Sequence, residues 1–228
     1  MLKGIIFDFD GVIAESVQIK SDAFAELYKP YGPDIVEKVV EHHEANGGMT
    51  RYDKIKFYHE SFLNKTITEE ELSALANHFS DLAVENVIAA PYVPGALEFI
   101  KKSYDKYKLF ISTGTPTEEM EQILVARNIR NYFTAVYGSP AKKTFHVSSI
   151  LAKNKLDPNE LIFYGDSNSD MNAAHHHNIC FILRLHPLNQ DYFFYYTDKT
   201  IKNFINHNLD LQYEMSKNWY ALINKKNY

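Results

Sequence analysis

The sequence predicts an α/β fold: a doubly wound, Rossmann-like parallel sheet with a small all-helical domain inserted after its first strand. Three observations carry that prediction. Residues 3–9 crowd the β-formers Ile5, Ile6, Phe7 and Phe9 into a run suited to a buried strand. Residues 14–88 contain no good strand and read as helices separated by short polar breaks. From residue 109 onward, strand-like and helix-like segments alternate, as a parallel sheet covered on both faces requires. The expected division is a core domain of residues 1–13 and 89–228 and a helical domain of residues 14–88.

The first strand ends in Asp8-Phe9-Asp10-Gly11, and acids at the end of a buried strand do nothing for packing. Helical stretches are expected at 35–45 and 51–63, separated by Asn46-Gly47-Gly48. A third begins at the capping box Thr68–Glu71, after which Leu72, Leu75, Ala76, Phe79 and Leu82 recur at helical spacing. Pro91 and Pro94-Gly95 mark the return, with Pro91-Tyr92-Val93-Pro94 a candidate hinge. Strands are then expected at 109–111, 133–137, 161–164 and 179–183, with helices at 117–127, 143–154 and 169–177. Thr115–Glu118 reads as another capping box, with Pro116 at the first helical position. The segment from about 199 is expected to form two helices packed on the sheet.

Composition narrows the function. Of 228 residues, 45% are hydrophobic and 23% charged, which excludes disorder, collagen and coiled coil for the whole chain. A net charge of -5 argues against general nucleic-acid binding. The single cysteine excludes an intramolecular disulfide and a Cys-based zinc site. No apolar run is long enough to span a membrane, and the first residues lack the apolar run of a secretory signal. A cytoplasmic protein, monomeric or weakly dimeric, is expected. The run His175-His176-His177 is read as a helix end, because consecutive helical residues diverge and cannot share one ion.

The candidate chemistry lies at strand ends, where open parallel sheets bind ligands. Four ends carry polar groups: Asp8 and Asp10; Ser112-Thr113-Gly114; Gly138 through Lys142 and Lys143; and Gly165-Asp166 through Asp170. Crowded together, Asp8, Asp10, Asp166 and Asp170 would repel strongly without a cation. Hard oxygen donors in that number favour Mg²⁺ together with a substrate phosphate. A carboxylate attacking a phosphoryl group needs its charge screened, which Mg²⁺ and a lysine provide. A second acid two residues on can protonate the leaving oxygen and then deprotonate water. A helix starting just after Thr113 offers backbone N–H groups to an anion.

With these motifs in order, the sequence resembles the haloacid dehalogenase superfamily, in its phosphatase branch with a helical cap of the first type. Asp8-Phe9-Asp10-Gly11-Val12 matches the first motif and Thr113 the second. Lys143, with Lys142 as the alternative, matches the third, and Gly165-Asp166 with Asp170 the fourth. The resemblance implies an Asp8 nucleophile that becomes an aspartyl-phosphate. It implies an Asp10 general acid/base whose backbone carbonyl also binds Mg²⁺. Thr113 and the Gly114 N–H would hold the phosphoryl group, and Lys143 would neutralise it. Asp166 would ligate the metal, with Asp170 acting through water or as support. The expected activity is Mg²⁺-dependent hydrolysis of a small phosphomonoester. Alternatives are a phosphosugar mutase of the β-phosphoglucomutase type, which would carry a His where this chain has Lys20, and a non-catalytic binding module. Phosphoglycolate phosphatases also belong to this branch. In the helical insert, Gly47-Gly48-Met49-Thr50-Arg51 is similar to the substrate loop of many members. Arg51, Lys54 and Lys20 are therefore expected to contact the substrate.

Overall fold

The computed structural model describes residues 1–196 and 199–209. Its centre is strand β1 (Gly4–Phe7), whose four residues are all buried. It is flanked in parallel by β2 (Lys108–Pro116) and β4 (Leu161–Gly165), so that Phe7 lies in register with both Ile111 and Tyr164. β3 (Ala135–Ser139), β5 (Cys180–Arg184) and β6 (Thr200–Ile201) complete a six-stranded parallel sheet in the order β3-β2-β1-β4-β5-β6. Pairing on both sides explains the unbroken apolar character of β1: neither face nor edge meets water. The stacked rings of Phe7 and Tyr164, 5.4 Å apart, carry that apolar layer across two strands.

The helices that cover the sheet are α5 (Ala96–Ser103), α6 (Thr117–Ala126), α7 (Lys143–Asn154) and α8 (Asn168–His176). Four more, α1 (Val17–Tyr28), α2 (Pro33–Ala45), α3 (Arg51–Ser61) and α4 (Glu69–Ala89), form a block between β1 and α5. This block encloses an apolar cluster of its own, built around Phe24, Tyr28, Tyr58 and Phe79. The chain leaves β1 and returns to the sheet side by side. The Glu15 N–H donates to the Pro91 carbonyl and the Val93 N–H to the Ile13 carbonyl. Among the described residues no helix is long and apolar enough to cross a membrane.

The alternation after residue 109 and the α4 capping box match the expectation, and Thr68 and Glu71 make both reciprocal bonds. Four details differ. β2 runs on through Ser112-Thr113-Gly114 to Pro116 and carries polar residues into the site. β3 starts two residues later than expected, and Phe133 buries its ring against Phe7 from the preceding turn. The Thr115–Glu118 capping box does not form: Pro116 occupies the cap of α6 without a side-chain bond, and the Thr115 hydroxyl accepts from Lys20 instead. The segment from 199 opens with β6 rather than a helix, because Thr200 and Ile201 find the free edge of β5. The rest of the segment expected to form two helices, residues 210–228, lies outside the described residues.

Candidate active site

The carboxyl ends of β1, β2 and β4 and the start of α7 converge as the sequence predicts. Asp8, at the end of β1, is 4% exposed. Its Oδ2 accepts from Lys143 Nζ at 2.6 Å, and the same ammonium donates to Asp170 Oδ1 at 2.7 Å. Lys143 is buried at the first position of α7 and is the lysine that reaches Asp8, whereas Lys142 is exposed. Asp166 follows β4. Carboxylate oxygens of Asp8, Asp166 and Asp170 lie within 4.8 Å of one another, all three residues being buried or nearly so. Asp170 also caps α8, accepting from the N–H and hydroxyl of Ser167, so its capping role and its place in the cluster coexist.

Electrostatics follow from that crowding. Burial pushes the Asp8 carboxyl up to about 7, against the pull of Lys143. Burial likewise raises Asp166 and Asp170, each with a neighbouring aspartate adding to the shift. Burial would lower Lys143, but Asp170 and Asp8 outweigh it and hold the ammonium above the ordinary lysine range. One ammonium thus faces three carboxylates. A cluster of hard oxygen donors short of positive charge fits Mg²⁺.

Asp10 stands apart from this cluster. Its carboxylate accepts from Lys20 Nζ at 2.5 Å and from the Ser16 hydroxyl at 2.6 Å. Its side chain is therefore not among the clustered ligands, which leaves its backbone carbonyl for the metal contact the family resemblance implies. Burial would raise its pKa, but the Lys20 charge and hydrogen bond prevail and hold it below the ordinary value. Lys20 reaches across from α1 and also donates to Thr115 Oγ1 at 2.7 Å. Thr113 is buried, its hydroxyl accepting from the Thr115 N–H, and Gly114 lines the cleft beside Asp8 and Asp10.

The α2–α3 loop closes the cleft. Gly48 has φ +77, and a Cβ there would lie 2.0 Å from Ser169 Oγ, so a glycine is required for this approach. Gly11 shows the same need on the core side: φ is +71 and a Cβ would meet Asp166 Oδ2 at 2.0 Å. Arg51 and Lys54 line the cleft but are buried rather than free. Arg51 donates to Glu119 of α6 at 2.5 Å, to Ser80 and to the Ala76 carbonyl. The basic turn is thus partly a tie between the helical block and the sheet, which sequence spacing did not reveal. The cleft occupies about 870 Å³, counting the space open to solvent.

Some contributors carry no sequence signal. His186, beyond β5, donates from Nε2 to Asp166 Oδ2 at 2.9 Å. Its Nδ1 accepts from the Leu188 N–H, which assigns the proton to Nε2. Asn189 donates to the Asp166 carbonyl. His43 accepts from Lys54. Each stands far in sequence from its partner, within segments that read as ordinary loop or helix.

Comparison with known proteins agrees with this geometry. Residues 5–184 match the family described as haloacid dehalogenase-like hydrolase. A phosphorylated carbohydrates phosphatase of Thermotoga maritima is 30% identical over 184 residues, covering 76% of this chain and 80% of that protein. A phosphoglycolate phosphatase of Pasteurella multocida is 29% identical over 186 residues, covering 76% and 81%. The crystal structure of a β-phosphoglucomutase from Clostridium difficile shares the fold, with a TM-score of 0.76 at 19% identity over 97% of this chain and all of that one. The motif-bearing strand ends, the buried Asp8–Lys143–Asp170 cluster and a family match spanning most of the chain place this protein among the haloacid dehalogenase-like hydrolases, as an enzyme of phosphatase type.

Proposed function

We propose that this enzyme hydrolyses a small phosphomonoester in two steps, carrying the phosphoryl group on Asp8. The observation that carries this reading is the pairing of two carboxylates with different environments in one cleft. Asp8 lies in the metal-ready cluster against Lys143, and Asp10 lies two residues on, held by Lys20 and Ser16. In the first step an Asp8 carboxylate oxygen attacks phosphorus and the ester P–O bond breaks. Asp10, which its pairing with Lys20 keeps ionised in the ligand-free cleft, takes up a proton as substrate binding relieves that pairing and gives it to the leaving oxygen. In the second step Asp10, now a carboxylate, takes a proton from water. That water attacks phosphorus, the Asp8–phosphorus bond breaks and inorganic phosphate leaves.

Asp8, Asp166, Asp170 and the Asp10 carbonyl are the residues we assign to Mg²⁺, which when bound would offset the negative charge of nucleophile and phosphate. Lys143, which donates to both Asp8 and Asp170, neutralises the nucleophile. Thr113 and the Gly114 N–H hold the transferred group. The helical block of residues 14–88 serves as a cap, excluding water through the Gly48 approach and placing Lys20 and Lys54 over the substrate.

The test is phosphate release from a panel of phosphomonoesters, with and without Mg²⁺, using Asp8→Asn as the control. Turnover that needs Mg²⁺ and is abolished in the variant is the expected result. Equal release by Asp8→Asn and wild type would overturn the assignment of Asp8. Isomerised ester without free phosphate would replace hydrolysis by phosphoryl transfer between sugar hydroxyls.

A further inference from the structure

Three cations of the helical block face the cleft, and two are already neutralised. Arg51 is paired with Glu119 and Lys20 with Asp10. Lys54 is different. It is 2% exposed, and among the described residues no carboxylate lies within ion-pair distance of it. Its Nζ donates to His43 Nδ1 at 2.7 Å and to the His43 carbonyl at 3.1 Å, and it stands 5.7 Å from the Phe24 ring centroid. An ammonium has three N–H donors, so one remains beyond the two His43 contacts. Lys54 and His43 line the same cleft as Asp8 and Asp10. A buried ammonium without a counter-ion is costly, and an anion brought by a ligand removes that cost.

Resting on the phosphatase reading of this cleft, we propose that Lys54, held by His43, receives a second oxyanion of the substrate, a carboxylate or phosphate remote from the transferred group. The preferred esters therefore carry an anion at both ends. Binding of such an ester is linked to protonation. Burial, then the charge of Lys20, lowers Lys54 to about 7, with Asp10 and Asp166 pulling it up and Lys143 pushing it down. His43 and His42 of α2 face it too. Burial and then Lys54 hold both of these histidines below their ordinary value. On its own helix Arg51 is occupied by Glu119. Above pH 7 the free enzyme loses the Lys54 proton and an incoming oxyanion must restore it.

The test compares kcat/KM for matched esters: 3-phosphoglycerate against glycerol 1-phosphate, and a hexose 1,6-bisphosphate against the hexose 6-phosphate. The first pair reads a carboxylate and the second a phosphate. The ratio of doubly anionic to singly anionic ester should favour the former, fall as pH rises above about 7, and drop at least about tenfold in Lys54→Met, the size of one charge-assisted hydrogen bond. A ratio within about twofold of wild type in that variant overturns the proposal. A second measurement needs no change at Lys54. At pH 8, Asp8→Asn should take up close to one more proton on binding 3-phosphoglycerate than on binding glycerol 1-phosphate, read by calorimetry in buffers of different ionisation enthalpy. No difference in uptake overturns the proposal. If wild type turns over no ester yet the extra uptake appears, the anion site stands and the hydrolysis reading falls. If turnover appears with an unchanged ratio, the anion site alone falls.

Discussion

Single residues show how far short motifs reach. Asp8, Asp10, Lys143, Asp166 and Asp170 are legible as candidates in the sequence because each sits at a strand end or helix start, where local pattern and chemistry coincide. His186 could not, because it meets Asp166 only through the return of the chain after β5. It fixes the orientation of a carboxylate we assign to Mg²⁺. His186→Ala should weaken Mg²⁺ binding by about 10–100-fold, measured by calorimetry on the folded variant. Wild-type Mg²⁺ affinity in that variant would count against the role. Lys54 gives a prediction about stability. Burial lowers it to about 7 in the folded chain, whereas an unfolded lysine titrates near the usual value of about 10.4. Between those values the unfolded chain holds a proton the folded chain lacks, so this group makes stability rise with pH, by at most about 1.4 kcal/mol per unit. Lys54→Met should remove that slope. Urea denaturation from pH 7 to 10 should then show the variant more stable at pH 7, with wild type closing the gap as pH rises. A parallel pair of curves would refute it.

Elements are legible in the sequence where one signal dominates and obscure where two compete. The α4 capping box formed, with the Thr68 and Glu71 side chains bonding each other and each other's backbone N–H. The Thr115 box failed because Lys20, 95 positions away, bonds that hydroxyl. β6 has no sequence signal because two residues carry no periodicity. The sequence also gave no reason to link α3 with α6, yet Arg51 and Glu119 form a buried pair between them, 5% and 13% exposed. Glu119→Ala leaves that guanidinium without its carboxylate and should cost about 3–5 kcal/mol in chemical denaturation. The double variant Arg51→Met with Glu119→Leu should recover most of the loss. Additive losses would show that the pair is not coupled. Gly48→Ala should instead leave sheet stability nearly intact and lower kcat/KM, since a Cβ there strikes Ser169.

At the level of the whole molecule, the parallel sheet was readable because alternation of strand and helix admits few topologies. Strand order was not readable, since pairing depends on which faces the helices cover. The helical block has its own apolar cluster and meets the sheet domain at the two adjacent crossings, the Arg51 and Lys20 ties and the end of α4, where Val87 enters the sheet's core and Arg127 bonds the last carbonyls. Hydrogen exchange on the native enzyme should accordingly resolve two sets of protected amides, one in α1–α4 and one in β1, β2 and β4. A single set opening with one free energy would mean that the block and the sheet unfold together. The central position of β1 has a consequence for synthesis. Phe7 pairs with Ile111 and Tyr164, both made long after it. At about 5–20 residues per second, roughly 5–20 s pass between translation of Phe7 and of Ile111, and longer before Tyr164. During that interval an entirely apolar strand waits beside a helical block that can already collapse on itself. The nascent chain is thus most exposed to aggregation and to chaperone capture at its N-terminal strand, until the second half of the sheet emerges to enclose it.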